Sequence, residues 1–309
     1  MRIVFMGSPA LAIPSLEASR ESGQLVGVIS QPPRRKGRGL KVEPSPVSAW
    51  AEGEGIPVHT PESIRTPEFM GLLRSMDPDV VVVVAFGKIL PPSILAAPPM
   101  GCVNVHASLL PELRGAAPIQ WAIARGYETT GVTLMQMDEG MDTGPILLQS
   151  ETSIRQDETS PELGLRLAQA GGDILLEGLP AMARGELHPV DQDHSLATYA
   201  PLIKKEDGLI DWSLSADEIA NRMRAFVPWP GTYTHRRGKR IGIVAARVLG
   251  EGTGQEPGRV VAVEKDGIEI ACGRGVLRVE RLKPEGKVEM TASDYASGYR
   301  IAVGDRLGK

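Results

Sequence analysis

GCVNVHASLLPELRGAAPIQWAI, residues 101–123, opens as a short buried strand, breaks at a turn and resumes as a helix. Cys102, Val103 and Val105 are apolar and β-prone, and a strand covered on both faces stays apolar to its end. Asn104 and His106 interrupt that pattern. Two residues apart on a strand, their side chains share a face. An amide and an imidazole therefore stand side by side near the strand's carboxyl end, where open α/β sheets bind their ligands. Ser108-Leu109-Leu110-Pro111 reads as a turn, Gly115 follows, and the spacing predicts a helix from about Pro118.

An amide beside an imidazole suits acyl transfer. A nucleophile adding to a carbonyl builds an oxyanion, and N–H groups of Asn and His are apt donors for it. An attacking amine must also lose a proton, so a carboxylate is needed nearby. Asp142, in MDEGMDTGPIL, is the candidate, on a loop where Gly140 and Gly144 permit a tight backbone. Singly, a strand histidine is more often a core residue, and an aspartate before Thr-Gly a turn former. Together with the Ser-Leu-Leu-Pro turn, Asn104, His106 and Asp142 read as a catalytic trio.

NVHASLLPELRGAAPIQWAI followed by GVTLMQMDEGMDTGPIL strongly resembles the N-formyltransferases that use 10-formyltetrahydrofolate. The resemblance extends over FMGSPALAIPSLEA, SQPPRRKGRG, TYAPLIKKEDGLIDW and PWPGTY, and so over nearly the whole chain. It implies that Asn104, His106 and Asp142 are catalytic and that Ser108, Leu109, Leu110 and Pro111 contact the folate. Within the family the chain looks most like the members that formylate the α-amino group of methionyl initiator tRNA for translation initiation. An alternative is a folate-dependent formyltransferase acting on a small-molecule amine, but a separate basic β-domain has no evident use for so small an acceptor. The folate is a consumed co-substrate, and no metal is implied. Glu112 and Leu113 depart from the family, which often carries a basic and an aromatic residue after that proline.

Outward from this stretch, Arg2–Met6 and Gln24–Ser30 read as strands around a helix from about Ala10, a βαβ opening that argues for a parallel sheet. No GxGxxG follows the first strand and no GxxxxGK[ST] occurs, which disfavours dinucleotides and a P-loop. Asp79–Ala85 is a continuous apolar run, and Gly131–Met137 and Ile146–Glu151 flank the Asp142 loop. Ser160-Pro161 opens a long helix to about Arg184, with a possible break at Gly171-Gly172. After Ser215 and Glu218, a capping-box pair, short strands alternate with Gly-bearing turns, as in a small β-barrel; the resemblance implies an OB-like one. The expected architecture is α/β: a Rossmann-like, mostly parallel sheet over 1–187, a linker over 188–206 and a β-barrel tRNA-binding domain over 207–309.

Composition narrows the partners. The chain has 309 residues and a net charge of −4, but residues 1–206 hold 17 basic and 24 acidic side chains and residues 207–309 hold 17 and 14. The second part is therefore mildly basic. Two clusters could meet phosphates: Arg34, Arg35, Lys36, Arg38 and Lys41 on a Pro- and Gly-rich loop, and Arg236, Arg237, Lys239 and Arg240 in a hairpin-like stretch. The resemblance makes Arg38 the key contact of the first. The longest apolar run, Val80–Phe86, is too short for a bilayer, and the chain enters a strand at once, so no signal peptide and no membrane are expected. Two cysteines, Cys102 and Cys272, argue for a reducing compartment rather than a disulfide scaffold, and Cys102 reads as a buried structural thiol. The histidines and cysteines form no metal-ligand spacing. A cytoplasmic monomer is expected.

Overall fold

The structure is a computed structural model that describes residues 1–36, 41–250, 252 and 254–308. By contacts it divides into two compact units: residues 1–118, 129–153 and 162–200, and residues 119–128, 154–161 and 201–309. Among the described residues no helix is long and apolar enough to cross a membrane.

In the first unit β1 (Arg2–Gly7), α1 (Ile13–Ser22) and β2 (Gln24–Ile29) form the expected parallel opening. A small antiparallel pair, β3 (Arg34–Lys36) and β4 (Lys41–Glu43), interrupts it. There follow α2 (Pro46–Gly53), β5 (Val58–His59), α3 (Pro67–Met76), β6 (Val80–Val84), α4 (Pro92–Leu95) and β7 (Cys102–His106). Ser45 and Thr66 cap α2 and α3 by accepting from the backbone N–H groups of Ser48 and Phe69, with proline as the first helical residue of each.

The sheet has seven strands in the order β5-β2-β1-β6-β7, completed by β8 (Thr129–Gln136) and β9 (Ile146–Ser153). β1, β2, β5, β6 and β7 run parallel; β8 and β9 are antiparallel additions. All five valines of β6 are buried, as a central parallel strand requires. The chain moves outward from β1 through β2 to β5 and then returns to the other side of β1 as β6. That reversal makes a crevice beyond the carboxyl ends of β1 and β6, and β7 ends next to it.

The long helix α6 (Ser160–Ala183) runs unbroken through Gly171-Gly172, where sequence allowed a break. A Cβ on Gly171 would stand 3.1 Å from a methyl of Val105 and one on Gly172 would stand 2.9 Å from the carbonyl oxygen of Pro14. The two glycines let α6 approach β7 and α1 closely.

The second unit includes α5 (Pro118–Ala124) and α7 (Ala216–Ala225), the latter opened by a reciprocal Ser215–Glu218 capping box. Its strands are β10 (Thr232–Arg236), β11 (Lys239–Val248), β12 (Val260–Glu264), β13 (Gly267–Ala271), β14 (Val276–Pro284) and β15 (Met290–Thr291), followed by α8 (Ala292–Tyr299). They form an antiparallel sheet in the order β10-β11-β14-β13-β12, with β15 on β14. Thr234, Ile241, Ile268, Val279 and Tyr295 point from four strands and α8 into one apolar interior, so the curled sheet encloses its own core. Trp212 joins that core and donates its indole N–H to Thr234 at 3.0 Å.

Candidate active site

The pleat of β7 puts Asn104 and His106 on one face at the strand's end, beside Val83 of β6 and Thr133 of β8. His106 is 6% exposed. Its Nε2 lies 3.0 Å from the carbonyl oxygen of Leu113. A carbonyl can only accept, so Nε2 carries a hydrogen and the ring is held edge-on. The other nitrogen, Nδ1, faces Oδ1 of Asp142 at 3.6 Å. Nδ2 of Asn104 points at the same oxygen from 3.5 Å. The three residues expected to act together therefore meet at one carboxylate oxygen, although Asp142 comes from a loop 36 residues after His106.

That loop, between β8 and β9, has a built shape. Asp138 accepts from the backbone N–H of Gly140 at 3.0 Å and from the Thr143 hydroxyl at 2.7 Å. Asp142 itself has φ +55, a left-handed conformation that aspartate tolerates better than most residues. A Cβ on Gly144 would stand 1.9 Å from the carbonyl oxygen of Gln136, so only glycine fits there. The backbone N–H of Gly115 binds Oδ2 of Asp142 at 2.9 Å, which leaves Oδ1 directed at the histidine and the asparagine.

Ser108–Pro111 leads away from β7 as expected, and several of its polar groups are engaged. The Ser108 hydroxyl donates to Glu112 O at 2.6 Å, and Leu110 N donates to the Thr133 hydroxyl at 3.1 Å. Gln149 donates to Leu110 O at 2.9 Å. Leu110 is buried, whereas Leu109 and Pro111 are half-buried and Glu112 is exposed. Outward contact from this turn thus falls to Leu109 and Pro111. Cys102, at the start of β7, is buried, and burial pushes its thiol up to about 12, as suits a structural rather than a reactive cysteine.

Four residues near the trio were not singled out by sequence. Thr133 carried the same signal as Asn104, a polar residue in an apolar strand. Arg114 stands inside the motif but is 2% exposed and turned inward. Gln149 and Gln192 gave no local signal. Gln192 lies in the stretch expected to be a linker, yet residues 190–200 bond repeatedly to the first unit: Val190 pairs with Ile146, and Ala200 N donates to Arg114 O at 2.7 Å.

The basic clusters divide. Arg38 and the side chains of Arg35, Lys36 and Lys41 lie outside the described residues; Arg34 is exposed and donates to Gln31 at 3.3 Å. In the second unit β10 and β11 turn through Arg237-Gly238, with φ +51 and +73, the two positive values of a type I′ hairpin. Arg237 and Lys239 are exposed at this tip, and Arg240 lies over the Tyr233 ring at 3.9 Å. Arg236 departs from expectation. It is 6% exposed, its guanidinium pairs with Asp305 at 2.7 Å, and it donates to the carbonyls of Tyr299 and Arg300 at 3.0 and 3.2 Å. A guanidinium so enclosed is not available to a phosphate; it ties the segment after α8 to β10. No group of three or more metal-ligating side chains gathers among the described residues.

The sequence profile of the formyl transferase family matches residues 1–179, and that of the formyl transferase C-terminal domain matches residues 202–300. Methionyl-tRNA formyltransferase of Citrifermentans bemidjiense is 47% identical over 310 residues, covering 100% of this chain and 97% of that protein. The protein of the same name in Myxococcus xanthus is 50% identical over 305 residues, covering 99% and 97%. Among solved structures, an N-formyltransferase from Helicobacter canadensis, in complex with folinic acid and dTDP-3-aminofucose, superposes with a TM-score of 0.65 at 18% identity, covering 90% of this chain and 98% of that one. At that identity the likeness concerns the fold alone.

Proposed function

The chain belongs to the formyl transferase family, and from that premise we propose that it moves a formyl group from 10-formyltetrahydrofolate to the α-amino group of methionine on initiator tRNA. The observation that carries the chemistry is the convergence of Asn104 Nδ2 and His106 Nδ1 on one oxygen of Asp142, at 3.5 and 3.6 Å. Support for the acceptor comes from relatives named methionyl-tRNA formyltransferase that match end to end, and from a basic second part that a small amine does not need.

The formylfolate supplies an electrophilic formyl carbon. As the methionine amine adds to it, the N–H groups of Asn104 and of His106 Nδ1 stabilise the oxygen that gains charge. Asp142 takes the proton that leaves the amine, directly or through a water, and is the counter-ion of the imidazolium when Nδ1 is protonated; as the tetrahedral adduct collapses, the bond from the formyl carbon to folate N10 breaks, the proton passes to N10, and tetrahydrofolate leaves. The Gly115 N–H holds the second carboxylate oxygen, so Oδ1 keeps its aim. Separations of 3.5 and 3.6 Å are loose for hydrogen bonds and are expected to tighten with substrate in place. The half-buried faces of Leu109 and Pro111 fit a flat pteridine that needs apolar walls, with Ser108 and Leu110 shaping the turn beneath them. No step calls for a metal.

In this reading residues 1–187 carry out the transfer, with 190–200 bonded into their scaffold, and residues 207–309 help to hold tRNA. Phosphate contacts are assigned to Arg34, Arg35, Lys36, Arg38 and Lys41 and to Arg237, Lys239 and Arg240, without Arg236. The protein acts as a cytoplasmic monomer. The test is a formylation assay with charged initiator tRNA, charged elongator tRNA, free methionine and an amino-sugar nucleotide as acceptors. Formylation of the initiator alone is expected; comparable kcat/KM for a small amine would replace this reading with the small-amine one.

A further inference from the structure

Arg114 is buried, and its guanidinium meets the side chains of Gln192 and His194. Its Nε and one Nη stand 3.1 and 2.6 Å from Oε1 of Gln192, and the same Nη stands 3.0 Å from Nδ1 of His194. The partners of this guanidinium are thus an amide oxygen and an imidazole nitrogen. An enclosed charge of this kind costs stability compared with apolar filling, so packing does not explain it. What it does is orient an amide. Arginine only donates, so the atom of Gln192 that faces it must be the oxygen. The amide nitrogen then faces the other way and donates both hydrogens, to Asp142 O at 2.9 Å and to Gly144 O at 2.7 Å. Both donors and both lone pairs of the side chain are thereby used.

These two carbonyls bracket the turn that sets Asp142 in its left-handed conformation. We propose that Gln192, oriented by Arg114, is a positioning residue that clamps the Asp142 loop and fixes the carboxylate against Asn104 and His106. Gln192 and Arg114 touch neither reacting group; they act through the backbone on either side of Thr143. The clamp joins three distant parts of the first unit, at residues 114, 142–144 and 192, and it makes the 190–200 segment part of the site's scaffold. The inference rests on the assignment of Asp142 to proton transfer.

The test compares Gln192→Met, Gln192→Glu, Asp142→Asn and the unaltered full-length chain in formylation of charged initiator tRNA, with thermal unfolding measured alongside. Gln192→Met keeps the length and loses every bond. Gln192→Glu keeps the partner of Arg114, and so the anchoring of 190–200, but offers no N–H to the two carbonyls. Misplacing a reacting group by about an ångström can lower the rate roughly a hundredfold, so kcat of both variants should fall about 10- to 100-fold, with KM for the formyl donor within about threefold of the unaltered value. If Gln192→Glu restores what Gln192→Met loses, the residue only anchors its own segment and the inference is overturned. Unaltered kcat in both variants also overturns it. If Gln192→Met does not fold, Gln192→Glu decides alone. Should Asp142→Asn retain full kcat, the reading of the site itself fails and the clamp with it; an inactive Asp142→Asn beside an unimpaired Gln192→Glu removes the clamp only.

Discussion

The backbone N–H of Gly115 holds Oδ2 of Asp142 at 2.9 Å, so one oxygen of the carboxylate is committed before any substrate arrives and the other is left for His106 and Asn104. A side chain held in this way works only as long as each of its neighbours keeps its place.

Removing one oxyanion donor, by Asn104→Ala, should lower kcat about 10²- to 10³-fold. His106→Ala and Asp142→Asn should lower it at least as far. The double variant should be little worse than either single one, because the two act as a unit. Single-turnover formylation with saturating tRNA reads this directly. Near-normal kcat in Asp142→Asn would remove the carboxylate from the mechanism.

Leu109 and Leu110 are neighbours with different expected costs. Leu110 is 3% exposed, so Leu110→Ala should destabilise the first unit by about 2–5 kcal/mol, seen as a lower urea midpoint. Leu109 is half-buried beside the proposed folate contact, so Leu109→Asn should raise KM for formylfolate more than KM for tRNA. The opposite order of KM effects would move the folate elsewhere.

The hairpin arginines separate in the same manner. Neutralising exposed Arg237 and Lys239 together should reduce the salt slope of tRNA use by roughly one to two unit charges, with unfolding unchanged. Arg236→Ala should instead lower the urea midpoint of the second unit, because it removes the donor that the carbonyls of Tyr299 and Arg300 and the half-buried Asp305 carboxylate share. A fall in tRNA affinity for Arg236→Ala at unchanged stability would return that residue to the RNA-contacting set.

The Arg236–Asp305 pair also sets a pH dependence. Burial raises the Asp305 pKa, but bonds from Arg236 and from Ala302 N, with the charges of Arg236 and Arg237, outweigh it, and the net result lies below the usual 3.8. A carboxyl depressed in the folded state contributes stability above its unfolded pKa and loses that contribution as pH falls through the folded value. Urea midpoints should therefore drop below about pH 4, and the part of the drop due to this pair should be missing in Asp305→Asn. Identical acid profiles for the two proteins would show that the pair adds nothing across this range.

How far the sequence reaches depends on distance along the chain. The period of two in CVNVH put Asn104 and His106 on one face, the five valines of β6 announced a strand covered on both sides, and Ser215 with Glu218 announced a helix start that the structure shows. These are local rules, because pleat, burial and capping act between residues a few positions apart. Asp142 could be named from its motif but not placed. Arg236 looked like any other member of a basic run, although strand register turns it inward to meet Asp305, 69 residues later. Gln192, in a segment without period, could not be read at all: its partners stand 78, 50 and 48 residues away. By itself the sequence determined most of the strands and helices, though not β3 and β4 in the stretch read as a loop, and the polar face of β7. Only the tertiary structure decided which cations are enclosed and what holds Asp142 in position, because a hydrogen bond between distant segments depends on how the sheet brings them together, and no local pattern records that.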